Sequence, residues 1–352
     1  MSSIKGNVVQ YSLFGESHGP AIGMTINNLP SGLTIDEDSI RNALSKRSTG
    51  GQYASQRRET DSVEWISGVY LGQTTGAPLT FIIRNSDHKS KDYDQLAHIM
   101  RPSHADYPAY IKYGGKNDIR GGGMFSGRLT ACYVVAGTLV RQLLETEGLR
   151  IKASLVRLGR LTLPFDAVDS GTGTWYECLR PEWKKLVTQL LSEVQGKGDS
   201  VGGEVAVNVS GMPAGIGEPH FNSVESELAA WLYGIPGMKA VQFGLGIDFA
   251  KAHGSQVNDK AYYEDGLVKH KTNFNGGIFG GITNGMDLEL KCTFKPTPSI
   301  YIRQETIDIR EKVNIEHELT GRHDPAFVIR TPIVVESVIA MALYDLMRMA
   351  QR

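Results

Sequence analysis

One short pattern is written twice in this chain. Gly19, Ile22, Met24, Ile26, Leu29, Pro30, Gly32 and Leu33 each find a like residue 183 positions later, at Gly202, Val205, Val207, Val209, Met212, Pro213, Gly215 and Ile216. In both places apolar residues alternate with small or polar ones, the period of a half-buried strand, and run into a Pro-x-Gly turn. A helix is expected after each turn: one capped by Thr34 or Asp36 and reaching about Ser45, the other over Ser223 to Tyr233. Further on, Gly68-Val69-Tyr70 and the turn Gly72 to Gly76 are echoed by Gly277-Ile278-Phe279 and Gly281 to Gly285, now 209 positions apart, so the second copy carries an insertion. Each copy closes on a long apolar helix, 129–144 and about 333–347. The joint match of proline, glycine and strand phase favours repetition over chance. It predicts two copies of one α+β unit: strand, Pro-Gly turn, helix, hairpin, helix. The halves are expected at about 7–150 and 200–352, within one domain spanning 1–352, with 151–199 joining them and a helix over Trp183 to Val194. Val8 to Phe14 reads as a first strand, and Val63 to Leu71 with Pro78 to Ile83 as a hairpin. Antiparallel sheets with one apolar face need cover, so each should pack helices or its partner sheet.

Composition narrows the partners. The formal net charge of −1 gives no bulk attraction to nucleic acid or to a membrane surface. The longest apolar stretch, 326–347, is interrupted by Arg330, Glu336 and Asp345, so no membrane span is expected. Cys132, Cys178 and Cys292 lie far apart and form neither a disulfide framework nor a metal motif. With no signal peptide, this reads as a cytoplasmic, reducing setting. Glycine is in excess, 40 of 352 residues, against roughly 7 % on average. Arginines crowd near its clusters: Arg47, Arg57, Arg58, Arg101, Arg120, Arg128, Arg322 and Arg330. That pattern suits a small anionic ligand better than a polyanion.

The densest such cluster is Arg120-Gly121-Gly122-Gly123-Met124-Phe125-Ser126-Gly127-Arg128, directly before an apolar helix. Three glycines allow φ > 0 and close approach to the backbone. A loop feeding a helix N-terminus presents free N–H groups, and two arginines can fork onto an anion. The loop is therefore a cradle for phosphate or carboxylate, or else a tight connection whose glycines only permit close packing. Three histidines sit among glycine, proline, acid and arginine: His18 in Gly15-Glu16-Ser17-His18-Gly19, His104 in Arg101-Pro102-Ser103-His104-Ala105-Asp106, and His323 in Arg322-His323-Asp324-Pro325. Such loop imidazoles can move protons near neutral pH. No pair of histidines has metal-ligand spacing and no cysteine lies near them, so no metal is expected. No serine has a Gly-x-Ser-x-Gly frame, and the glycine runs match neither a Walker loop nor a dinucleotide fingerprint. What remains is a site for phosphate plus carboxylate, lined by arginine, with imidazoles for proton transfer and a Lys295-Pro296-Thr297-Pro298-Ser299 turn of unassigned role.

Over essentially its whole length the chain resembles the chorismate synthase family. The resemblance rests on Phe14 to Gly19, Gln56-Arg57-Arg58-Glu59-Thr60-Asp61, Arg101 to Tyr107, the Gly121–Arg128 loop, Lys295 to Ser299 and Arg322 to Pro325. It implies an α+β fold, a β-α-β sandwich of two antiparallel sheets flanked by helices, with internal pseudo-twofold symmetry, in a homotetramer. It implies an anti-1,4-elimination of phosphate from 5-enolpyruvylshikimate 3-phosphate to give chorismate, with reduced FMN required and no net redox change. By similarity His18 is the proton donor to the leaving phosphate, His104 protonates or stabilises the reduced flavin, and Asp324 helps flavin N5 accept the proton. The resemblance assigns substrate contacts to Lys46, Arg47, Arg58, Arg128 and Arg322. It assigns flavin contacts to Met124, Phe125, Ser126, Pro236, Gly237, Gly280, Lys295, Pro296, Thr297, Pro298, Ser299 and Arg322. The chain departs from the family pattern at Met124-Phe125, at Gln52 and at Lys46, where arginine or serine is frequent. Lysine keeps the charge and loses the fork, and Gln52 loses both. The chain has no obvious extra reductase domain, so flavin reduction is expected from an external reductase or reductant rather than from NADPH on this chain. The competing readings are a flavin- or anion-binding homologue without turnover, and a phosphotransferase, which lacks its nucleotide motif.

Overall fold

The computed structural model describes residues 3–47, 61–85, 98–168, 171, 173–318 and 324–351. They form a mixed fold of helices and antiparallel sheets. The first large sheet runs, in spatial order, Ile4–Lys5, Gln10–Gly15, Ala21–Asn27, Leu79–Arg84, Val63–Ser67. The second runs Leu161–Thr162, Arg150–Leu158, Gly203–Ser210, Leu288–Phe294, Met238–Phe243. All pairings within them are antiparallel.

The strands named by the two sequence patterns take the same place in each sheet, with matching register. Ile22 opposes Ile83 and Met24 opposes Phe81 in the first; Val205 opposes Cys292 and Val207 opposes Leu290 in the second. Their Pro-x-Gly turns are bolted down alike. The Thr74 hydroxyl donates to the Pro30 carbonyl at 2.6 Å and accepts from Leu33 N–H at 3.0 Å. The Thr283 hydroxyl donates to the Pro213 carbonyl at 2.6 Å and accepts from Ile216 N–H at 2.9 Å. Each threonine belongs to a two-stranded hairpin, Val69–Tyr70 with Gln73–Thr74 and Ile278–Phe279 with Ile282–Thr283. One boundary differs from expectation. Arg150–Leu158, assigned to the joining stretch, is a strand of the second sheet. Its alternation of Ile151, Ala153 and Leu155 with Lys152 and Ser154 is strand period, and burying that face wins over a linker role.

Two of the helices begin at side-chain caps. Asp36 accepts from Ser39 N–H at 2.9 Å ahead of Glu37–Arg47, and Ser223 accepts from Ser226 N–H at 3.1 Å ahead of Val224–Leu232. These satisfy N–H groups that the first turn leaves unpaired. Pro181 opens Pro181–Gly196, where its missing N–H costs nothing. Two long helices, Thr130–Thr146 and Thr331–Ala350, form the heart of the core and pack on each other. The first also touches the Ala21–Asn27 strand, the second the Arg150–Leu158 and Gly203–Ser210 strands. They cross at Gly137 and Ser337, where a Cβ on Gly137 would stand 2.3 Å from that of Ser337. Thr331–Ala350, with the turn Phe327–Arg330 before it, is long and apolar enough to cross a membrane, yet 83 % of its most apolar window is buried inside the protein. Near its end Asp345, 1 % exposed, accepts the N–H groups of Asn7, Val8 and Val9 at 2.8, 2.7 and 2.9 Å. A buried carboxylate so satisfied ties the first residues of the first sheet to the last helix. The cysteines are free thiols, with Cys132 and Cys292 buried.

Candidate active site

A cavity of about 1150 Å³ opens where loops from the two sheets meet the starts of both core helices. Loops of the first half supply Arg47, Asp61, the segment 101–106, and Gly121 to Arg128. The second half supplies Tyr233 to Met238, Lys295, Thr297 to Ser299, Asp324 and Arg330. Its volume is slightly above the roughly 300–1,000 Å³ of a single drug-sized ligand site.

The three glycines answer the question left open by the sequence. All have positive φ, at 57°, 86° and 51° for Gly121, Gly122 and Gly123. A Cβ on Gly121 would lie 2.0 Å from His18 Cε1, and one on Gly123 would lie 2.1 Å from the Asp118 carbonyl oxygen. Close packing therefore explains those two, and only Gly122 stands clear. Arg120 is not an open fork either. It donates through Nε and Nη2 to Asp118 at 2.9 and 2.7 Å, locking the loop to itself. That pairing holds the Asp118 carboxyl below the usual range, against a smaller opposing effect of burial.

His18 is 3 % exposed and sits directly behind Gly121, which borders the cavity. Its Nδ1 is 3.1 Å from the Ser17 hydroxyl, which lies 3.1 Å from the carbonyls of both Arg120 and Gly121. Ser17 N–H donates to the Gly123 carbonyl at 3.2 Å. The strand-end loop and the glycine loop are thus stitched together, with the imidazole packed against a glycine that lines the cavity.

Two guanidinium groups share one carboxylate. Asp61 accepts from Arg47 at 2.7 Å and from Arg128 through its other oxygen. Burial alone would raise the Asp61 carboxyl, but the charges and hydrogen bonds of Arg47 and Arg128 together outweigh it and hold the group below its ordinary value. Arg128 also donates Nε to Asn85 at 3.1 Å, and Asn85 donates to the carbonyls of Glu16 and Gly19 at 2.9 and 2.8 Å. Asn85 and Asp61 thus fix where Arg128 points, and neither was singled out as a site residue on sequence. A polar residue closing a strand, as Asn85 does, is too common a signal to find it.

On the opposite wall, His104 places Nδ1 3.0 Å from the Pro102 carbonyl and Nε2 2.8 Å from the Ser299 hydroxyl. Burial, then the Arg101 charge, pushes its pKa down to about 4, so the ring is neutral at neutral pH. Arg101 is taken up by Asp106, to which it donates Nε and Nη2 at 2.7 and 2.8 Å. Lys295 donates to the Ser103 carbonyl at 2.5 Å and is held below its usual pKa by burial and by Lys239. Ser103 has φ of 59°, a left-handed conformation that serine rarely takes and that aims its carbonyl at Lys295. Asp324 pairs with Arg330 at 2.5 Å. Each carboxylate described on the wall, Asp61, Asp106, Asp118 and Asp324, thus already holds an arginine in place, while Lys295 and the second guanidinium on Asp61 leave the wall in cationic excess.

Of the expected site residues, the cavity wall brings together His104, Asp324, Arg47, Arg128, Met124, Phe125, Ser126, Pro236, Gly237, Lys295, Thr297, Pro298 and Ser299. His18 stands one layer behind. Pro296 belongs to the 295–299 turn without bordering the cavity. Lys46 also lies off the wall, and its charge is a minor influence on the half-buried Glu336 of the last helix. Gly280 sits in the Ile278–Thr283 hairpin, away from the wall. Arg58, Arg322, His323 and Gln52 lie outside the described residues.

The chorismate synthase family model matches residues 9–348 of this chain. The chorismate synthase of Thermococcus kodakarensis is 40 % identical over 342 residues, covering 97 % of this chain and 96 % of that protein. That of Pyrococcus abyssi is 41 % identical over 345 residues, with the same coverage of 97 % and 96 %. A solved chorismate synthase crystal structure superposes with a TM-score of 0.73 at 25 % identity, covering 97 % of this chain and 92 % of that one.

Proposed function

The chain belongs to the chorismate synthase family, and on that premise we propose how its cavity performs the family's reaction. The protein is an enzyme, a carbon–oxygen lyase of the shikimate pathway in aromatic biosynthesis, which eliminates phosphate from 5-enolpyruvylshikimate 3-phosphate to give chorismate. The single observation that carries the assignment of roles is convergence. An arginine pair, a neutral imidazole and a buried imidazole from distant parts of the chain meet at one cavity.

The substrate carries one phosphate and two carboxylates. Arg47 and Arg128, spaced by Asp61, offer two guanidinium groups at fixed separation, and the half-enclosed wall strengthens each ion pair. Lys46, Arg58 and Arg322 complete the substrate set by family resemblance. Elimination puts negative charge on the departing oxygen, which needs a proton or a cation as it forms. His18, next to Gly121, is the proton donor in this reading, and Ser17 holds its ring in place.

Reduced FMN fits the cavity: the wall offers Ile235, Met238, Phe327 and Val334 for an apolar ring, with Lys295 and arginines for a phosphate tail. The chemistry it would supply when bound is a transient loan of electron density to the breaking bond, with no net oxidation. Met124, Phe125, Ser126, Pro236, Gly237 and the 295–299 turn would hold it; Gly280 and Arg322 join them by resemblance alone. By family resemblance His104 would protonate or stabilise the reduced flavin, and Asp324 would help flavin N5 accept the proton. The companion readings are a homotetramer, a cytoplasmic setting, and an external source of reducing equivalents rather than NADPH on this chain. The strand orders, the matched registers and the twin threonine bolts support an internal repeat with pseudo-twofold symmetry, its second copy starting near Arg150. Helices in contact with both sheets support the β-α-β sandwich.

Anaerobic turnover tests the reading. With chemically reduced FMN and 5-enolpyruvylshikimate 3-phosphate, phosphate and chorismate should appear in equal amounts, and with oxidised FMN neither should. Tight flavin binding without phosphate release would refute it.

A further inference from the structure

The 295–299 turn is pinned along its length. Lys295 N–H donates to the Gly237 carbonyl at 3.0 Å, and Phe327 N–H to the Thr297 hydroxyl at 3.4 Å. The Ser200 hydroxyl donates to the Thr297 carbonyl at 2.6 Å, and Tyr301 N–H to the Gly198 carbonyl at 2.8 Å. Pro296 and Pro298 fix their own φ. What this stiff turn presents is the Ser299 hydroxyl, 8 % exposed and 2.8 Å from His104 Nε2. The other ring nitrogen faces the Pro102 carbonyl at 3.0 Å. A carbonyl only accepts, so Nδ1 carries the hydrogen. Nε2 then holds the lone pair, and the Ser299 hydroxyl is the donor to it.

We propose that Ser299 is a positioning residue for His104: its hydroxyl holds the ring as the neutral Nδ1–H tautomer and keeps Nε2 as the proton-accepting atom beside the cavity. The inference rests on the active-site role of His104 given above and adds to it the starting state of the ring, neutral with its hydrogen on Nδ1. The charged groups facing His104 agree. Arg101 and Asp106 come from its own loop and the helix it leads into, and Lys295 from the turn. Arg101 and Lys295 disfavour a cationic ring, Asp106 favours one, and the first two prevail together with burial. A hydroxyl donating to the neutral form acts in the same direction.

Histidine-selective ¹⁵N NMR of the whole flavin-free protein tests this, with the His104 resonances identified by their loss in His104→Gln. The expected spectrum at pH 7.5 has a protonated Nδ1 and a bare Nε2, unchanged down to pH 5.5. Ser299→Ala should mix the tautomers, move the titration upward and lower turnover with reduced FMN roughly tenfold, the low end of a lost acid–base arrangement. Ser299→Thr should restore the spectrum and most of the turnover. An Nε2–H or cationic ring in the unaltered protein overturns the proposal, as does a Ser299→Ala spectrum identical to it. Should Ser299→Ala not fold, the unaltered spectrum and Ser299→Thr decide. Full turnover in His104→Gln would instead remove the role of His104, a result separable from the tautomer.

Discussion

Four strands follow the same chain order in the two sheets, but the first two of the four are joined differently. In the first, residues 16–20 carry the chain from Gln10–Gly15 to Ala21–Asn27. In the second, residues 159–202 make the same connection between Arg150–Leu158 and Gly203–Ser210, adding a short strand and the helix Pro181–Gly196. The short loop carries Ser17 and His18 and presses an imidazole against Gly121. Among its described residues, the long one carries no group onto the cavity wall. Instead its return, Gly198 to Val201, clamps Tyr301, Thr297 and Pro325. In the first sheet this connection thus brings an imidazole up against Gly121, and in the second it braces the 295–299 turn. The five-residue loop is held between its two strands and by hydrogen bonds to the glycine loop and to Asn85, whereas the long excursion acts through the contacts of its return.

The comparison breaks most visibly at His18. His18→Gln should lower turnover about 10²- to 10⁴-fold, the range for a lost general acid, while Ser200→Ala, on the bracing connection, should cost only a few-fold. Steady-state phosphate release measures both, and equal losses would erase the distinction between delivering and bracing. Asp61→Asn comes next. It leaves two guanidinium groups facing a neutral amide, and breaking a buried ion pair costs about 3–5 kcal/mol of stability. Because the folded-state pKa of Asp61 is lowered, its contribution is present above its unfolded pKa and lost as pH falls through the folded value. Thermal melts from pH 7 down to pH 2 should show a smaller acid destabilisation in the variant than in the unaltered protein. Parallel curves would mean that Asp61 is not ionised between the arginines.

The smallest effect concerns the shared scaffold itself. Thr74→Val and Thr283→Val each remove a hydroxyl that makes two hydrogen bonds at a Pro-x-Gly turn. Each should cost about 1–3 kcal/mol, the two losses agreeing within a factor of two and turnover at saturating substrate staying unchanged. Denaturant midpoints measure this, and a large loss in one half with none in the other would argue against equivalent copies.

The scaffold was legible because proline, glycine and strand alternation act over a few residues. The Pro30 and Pro213 turns, the caps at Asp36 and Ser223, and the apolar core helices all follow from such local signals. Arg150–Leu158 carried the same alternation and was still assigned to the connection, because the matched pattern starts at Gly19 and Gly202 and leaves the preceding strands at a different spacing. The site was legible as a set of residue types but not as pairs. Sequence shows an arginine at 120 and another at 128, yet only folding decides that the first turns back on Asp118 while the second reaches Asp61 and Asn85. Likewise the neutral state of His104 comes first from burial, which has no signature in the chain around it, although the Arg101 that assists it stands three residues away.

The central claim, that groups scattered along the chain serve one ligand pair, is tested most directly by a crystal structure of the protein with oxidised FMN and 5-enolpyruvylshikimate 3-phosphate. The account predicts the flavin ring against His104 and the 295–299 turn, with the substrate's anionic groups on Arg47 and Arg128 and its phosphate toward the Gly121–His18 side. Flavin or substrate bound away from this cavity, with His104 and Arg128 touching neither, would contradict it.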